Sequence, residues 1–178
     1  MAQNKTDWST WNSSLLAPRI ICFALTMSCV LYAGIMLGGL VGAEATGPVS
    51  VVAYIIPGMG LLMLPASFLL PRLLPFPNLT SPTKEVDGVF GKETVLADPA
   101  DARAKYFGAA FTGFIIRAAL SESIAIFGFV GFVALGTPLP ISVGLCGVAA
   151  LAILTTFPRT TDWKLRAETK LGARFPEE

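Results

Sequence analysis

Four apolar stretches, separated by short or charged connections, set the pattern of this chain. The first runs from Ile20 to Gly42 without a charge. The second runs from Pro48 to about Leu70, also uncharged. The third extends from Tyr106 to Leu135 and contains Arg117 and Glu122. The fourth runs from Leu139 to Phe157. A helix needs ~20 mainly apolar residues to cross ~30 Å of hydrocarbon. The pattern predicts an all-α integral membrane bundle of four transmembrane helices in two hairpins. Its spans fall at about 20–42, 48–70, 107–135 and 139–157, within a single membrane domain, 1–178.

The first stretch is too long for the apolar core of a cleaved signal and is read as a retained span. The second holds Pro57, Pro65 and Pro71, each of which removes a backbone hydrogen bond, so a kinked helix is expected. Gly136-Thr137-Pro138 and Pro140 make a turn too short to hold a domain, so spans three and four form a tight hairpin.

Basic residues give the orientation. Lys5 and Arg19 precede the first span. Arg72, Lys84, Lys92, Arg103 and Lys105 lie in or beside the middle loop, 72–102, and five more lie in the tail, 158–178. The two other connections hold none. Both termini and the middle loop are therefore expected in the cytoplasm, with the chain in the inner (cytoplasmic) membrane.

The polar segments carry their own signals. Asp98 or Asp101 suits the cap of a helix running on into the third span. Prolines at 71, 75, 77 and 82 favour extended backbone, and the loop is read as an interfacial strap without a core of its own. In the tail, Thr161 or Asp162 suits a helix cap, and Trp163 and Leu165 suit a helix lying on the membrane surface. Trp8 and Trp11 are expected as interface anchors. Asn78-Leu79-Thr80 matches a glycosylation sequon, but on the cytoplasmic side it is discounted.

Composition narrows the chemistry. Hydrophobic residues make up 53% and charged residues 14% of the 178, and the net charge is +1, which gives no basic field for nucleic acid. There is no histidine. Cys22, Cys29 and Cys146 lack metal-binding spacing and read as small apolar core residues. No metal, no cofactor and no catalytic residue are expected, so an enzyme lacks support.

Arg117 and Glu122 are the sharp signal, because ionisable groups within a span raise a functional hypothesis. If the third span enters the bilayer at Tyr106, they lie ~16 Å and ~24 Å deep. If Ala118–Thr137 does the crossing, Arg117 snorkels to headgroups and Glu122 sits one turn below the surface. Five residues on a helix is a poor spacing for an ion pair, so the two are expected to meet different neighbours. Arg117 shares a face with Gly113, Ser121, Gly128 and Gly131, small residues that let another helix approach. The functional reading is an ion-binding site, with Glu122 taking up and releasing a proton or cation and Arg117 modulating it. The structural alternative is that these charges anchor the helix or satisfy backbone in the kinked neighbour.

The run Ala119-Leu120-Ser121-Glu122-Ser123-Ile124-Ala125-Ile126-Phe127-Gly128 resembles the ion-binding helix of rotary ATP synthase c subunits. The resemblance implies a proton-binding role for Glu122 alone. It covers about ten residues, and Glu122 stands on the first helix of its hairpin, where a c subunit carries its carboxylate on the second. The second half of the chain resembles small bacterial four-span membrane proteins, through Ile115-Ile116-Arg117-Ala118-Ala119-Leu120-Ser121-Glu122 and Phe157-Pro158-Arg159-Thr160. That resemblance implies a fold and a bacterial origin. The expected role is a structural or accessory subunit of a membrane assembly, with the lipid bilayer and a homo-oligomer or membrane protein complex as partners. The alternative is a proton- or cation-handling oligomer using Glu122.

Overall fold

The structure, a computed structural model, describes residues 11–40, 51–73, 82–88 and 91–175. The expectations for Lys5, Trp8, the start of the second span at Pro48 and the sequon Asn78–Thr80 lie outside the described residues.

The fold is predominantly helical. Helix α1 spans Leu16–Leu37 and α2 spans Val52–Leu73. Strands β1 (Thr83–Gly88) and β2 (Gly91–Leu96) follow, then α3 (Pro99–Leu135), α4 (Leu139–Leu154) and α5 (Thr160–Leu171). Helices α1, α2 and α3 are each long and apolar enough to cross a membrane. Helix α4 is apolar but has 16 residues, ending three short of the expected Phe157. Thr155 and Thr156 turn the chain there, bonding their amides to the Leu151 and Ile153 carbonyls at 3.0 and 2.9 Å.

The chain divides into two compact units. Unit 1 collects Met1–Arg19, Pro75–Thr112 and Pro158–Glu178, the polar segments. Unit 2 collects Ile20–Leu74 and Gly113–Phe157, the apolar ones. Eleven of the thirteen Lys and Arg residues fall in unit 1, the exceptions being Arg72 and Arg117.

Unit 1 has a core that its separate segments do not announce. Trp11 is 1% exposed and meets the Phe175 ring edge-on, 5.3 Å between centroids, with the Arg103 guanidinium 5.3 Å over the indole. Trp163 is buried against Tyr106 and Phe107. Neither Trp11 nor Trp163 is the membrane anchor that a reading of its own segment suggests, because partners distant in sequence cover both. The mixed-charge loop is an antiparallel hairpin that pairs Thr83 with Leu96 and Gly88 with Gly91. A third, short parallel edge adds to it: the Leu96 amide donates to the Arg174 carbonyl, and the Arg174 amide to that of Thr94, both at 3.1 Å. The expected strap thus has Val95 and Leu96 buried, in a core completed from the C-terminal tail.

Local signals explain the helix starts. The Asp98 carboxylate accepts from the Ala100 and Asp101 amides at 3.1 Å, capping α3, and Pro99 occupies the first turn, where its missing N–H costs nothing. Helix α5 departs from expectation. It begins at Thr160 after Arg159, with no side-chain cap, so neither Thr161 nor Asp162 caps it. Thr160 is engaged instead by the Arg19 guanidinium at 3.0 Å, and its hydroxyl donates to Asn12 Oδ1 at 2.9 Å.

Unit 2 packs α2, α3 and α4 through glycine notches and leaves much apolar surface uncovered. A methyl group at Gly60 of α2 would lie 2.9 Å from Phe127 Cβ of α3. One at Gly128 would lie 3.0 Å from both Leu145 Cβ and the Ser142 carbonyl of α4. One at Gly131 would lie 2.8 Å from Thr137 Oγ1 and 3.4 Å from the Pro57 ring. Such approaches bring backbones close enough for dispersion to hold helices together in lipid. On the outside, Phe23 and Leu31 of α1 and Leu62 of α2 are each more than 60% exposed, a surface suited to hydrocarbon rather than water.

Candidate functional site

Helix α3 carries Arg117 and Glu122, the two charges within its apolar run, and their described partners lie on different segments. Arg117 Nη2 donates to Thr155 Oγ1 at 3.2 Å, just beyond the end of α4, and its guanidinium lies 4.2 Å over the Phe68 ring of α2. The planar, delocalised cation suits a ring face. Glu122 instead meets α1: its Oε1 is 2.7 Å from Ser28 Oγ.

Distances along the helices separate the depths of the two groups. Leu135, where α3 ends, is eighteen residues beyond Arg117 and thirteen beyond Glu122, or about 27 Å and about 20 Å at ~1.5 Å per residue. Ser28 is nine residues before the end of α1 at Leu37, about 14 Å, and eight beyond Ile20, about 12 Å. Phe68 and Thr155 both lie near the end of unit 2 where α2 and α4 terminate. Arg117 therefore belongs to one rim of the unit. Glu122 lies nearer the middle of its length and is partly exposed.

The Glu122 surroundings are mixed. From α1, Cys29 and Tyr32 lie within electrostatic reach of the carboxyl, and Cys146 of α4 within reach of Cys29. Tyr32 also stacks on Phe129 at 5.2 Å. Ser121, fully buried, bonds back to the Arg117 carbonyl at 2.9 Å. Gly113 meets only Pro71, at 3.9 Å for an added methyl, an ordinary contact. Among the described residues no group of three His, Cys, Asp or Glu side chains could hold a metal ion.

A carbonyl that the prolines of α2 leave unpaired is met from elsewhere in the unit. Pro57 has no N–H to offer the Ala53 carbonyl one turn earlier. The Thr137 hydroxyl, 1% exposed, donates to that carbonyl at 2.7 Å. Gly136, at φ +68°, and the return of the Thr137 amide to the Gly131 carbonyl at 3.0 Å place the hydroxyl there. Sequence reasoning singled out neither Thr137 nor Ser28. Pro57 advertised an orphaned carbonyl, but the donor lies 84 residues away.

Comparison with protein-family models, with curated proteins and with solved structures finds no match.

Proposed function

We propose that this chain is a four-span protein of the cytoplasmic membrane, with both termini and the middle loop on the cytoplasmic side, serving as a structural or accessory subunit of a membrane assembly. One observation carries the topology. The N-terminal segment, the middle loop and the C-terminal tail gather into a single compact unit. Segments that share a unit share a side of the membrane, so the chain between each pair crosses an even number of times. Helix α4, though only about 24 Å long at ~1.5 Å per residue, then makes the fourth crossing. The concentration of Lys and Arg in unit 1 supports its cytoplasmic placement. Exposed apolar faces on α1 and α2, and glycines on α4 with open space beside them, support lipid and other membrane helices as partners.

The test uses a chain in which Cys22, Cys29 and Cys146 are replaced by alanine. Single cysteines at Leu40 and Leu165 are then labelled in intact cells with a membrane-impermeant maleimide. Leu40→Cys should react from outside and Leu165→Cys only after permeabilisation; the reverse pattern sinks the orientation. Native mass spectrometry after mild extraction should give a species heavier than one chain. A uniform monomer would sink the accessory-subunit reading.

A second reading is favoured by the Ser28–Glu122 contact. In it Glu122 is a proton- or cation-handling carboxyl within an oligomer. The part-buried contact joins a carboxyl group of α3 to α1 about 12 Å along that helix from Ile20, within an apolar stretch where an ionisable side chain is costly to keep without a role.

A further inference from the structure

Unit 2 gathers its described cations near one end. Among its described residues are two basic side chains, Arg72 and Arg117, and one acidic, Glu122, which Ser28 of α1 engages. Helices α2 and α3 run antiparallel: Pro57 faces Gly131, Gly60 faces Phe127, Phe68 lies under Arg117, and Pro71 faces Gly113. Arg72 follows Pro71 in the last turn of α2. It therefore stands level with Gly113, one turn, or ~6 Å, from Arg117 along α3.

Helical geometry brings the two guanidinium groups toward one spot. Arg72 is four residues beyond Phe68, on the same face of α2. A helical side chain leans toward the N-terminus of its own helix. In this antiparallel pair Arg72 leans back over Phe68 and Arg117 leans toward Gly113, each toward the other. Gly113, one turn before Arg117, has no side chain to part them. The Phe68 ring carries the Arg117 guanidinium at 4.2 Å, and Thr155 Oγ1 holds its Nη2 at 3.2 Å. Neither the ring nor the hydroxyl bears a formal charge. Two cations converging beside one ring repel each other unless an anion lies between them.

We infer that Arg72 and Arg117 form a clamp for one phosphate group, and that the phosphate belongs to an anionic glycerophospholipid. The forked donors of a guanidinium match phosphate oxygens. Arg72 is exposed, and the Arg117 bond to Thr155 lies at the surface, so a headgroup can reach both. The choice of a lipid over a soluble phosphate comes from the neighbours of the clamp. Leu69, Leu70 and Leu73 flank Arg72 and are 54%, 46% and 77% exposed, an apolar surface for acyl chains next to the charges. This rests on the reading of the chain as membrane-spanning, and needs neither the orientation nor an oligomer.

Native mass spectrometry of the full chain in mild detergent, with phosphatidylglycerol or phosphatidylcholine of the same acyl chains added, tests the clamp. Wild type should retain phosphatidylglycerol about tenfold better, the scale of one charge-assisted hydrogen bond. Arg72→Gln and Arg117→Gln should each abolish that preference, and the double variant should lose no more, because one phosphate needs both. Arg166→Gln removes the same charge from α5 and should keep it. Unchanged retention in either Gln variant overturns the shared site. Where a Gln variant fails to fold, the Lys variant at that position carries the test. It should hold phosphatidylglycerol about threefold less well than wild type, and equal retention overturns the clamp. Displacement of the lipid by an equal concentration of glycerol phosphate would assign a soluble phosphate and overturn the lipid. Alkaline carbonate washing of membranes keeps the two levels apart. A chain that washes off sinks the membrane reading with the clamp, whereas a retained chain without lipid preference sinks the clamp alone.

Discussion

Thr137 donates its hydroxyl across 2.7 Å to the Ala53 carbonyl, the acceptor that Pro57 strands by having no N–H. The turn between α3 and α4 thus supplies the donor that α2 lacks at Pro57. Thr137→Val removes the donor and leaves a fully buried carbonyl unpaired, a cost of about 1–3 kcal/mol. Thr137→Ser should keep most of the stability. In a Pro57→Ala background the helix regains its own donor, so Thr137→Val should cost clearly less. Unfolding titrations in mixed micelles measure this cycle, and equal costs in the two backgrounds would refute the repair.

The glycines of unit 2 divide into notches and open positions. Gly60→Ala sets a methyl 2.9 Å from Phe127 Cβ, and Gly128→Ala sets one 3.0 Å from the Ser142 carbonyl, atoms that cannot swing aside. Each should destabilise by about 1–3 kcal/mol. Gly58→Ala and Gly144→Ala meet nothing within 4 Å and should be neutral, or stabilising by about 0.5–1 kcal/mol through backbone entropy. Thermal unfolding of the four variants in one detergent checks the contrast.

The three long apolar helices were legible from apolar length, and the α3 start from Asp98-Pro99, because both signals are local. The hairpin was not. In Thr83–Gly88 and Gly91–Leu96 the apolar residues are only Val86, Val95 and Leu96, and what covers Val95 and Leu96 includes a tail edge near Arg174. The same limit governs the site. Glu122 stands out as a carboxyl in an apolar run, yet its partner Ser28 sits in another helix, 94 residues earlier, and hydroxyls are common in packed helices. The partners of Arg117, Thr155 and Phe68, are likewise on other segments, far from it in sequence.

Arg117 should behave as a rim residue. Arg117→Lys keeps the charge but loses the planar stack on Phe68 and the geometry toward Thr155. We expect a loss of about 0.5–1 kcal/mol, the scale of a partly exposed cation–π contact. Phe68→Leu should cost a similar amount, and the double variant less than the sum.

Phe175 closes unit 1 from the far end of the chain. It is 2% exposed, packs edge-on against Trp11, and its amide donates to Glu168 Oε1 at 3.2 Å, while its neighbour Arg174 supplies the third edge of the hairpin. Phe175→Ala should cost about 3 kcal/mol, at the lower end for a buried aromatic. The effect should appear in unit 1. Hydrogen exchange at the Leu96 and Arg174 amides should accelerate, because both bonds depend on the tail staying docked, and protease should cut the 83–96 hairpin sooner. Amides within α1 and α2 should keep their protection. A uniform loss of protection through α1 and α2 as well would mean that the two units do not open independently.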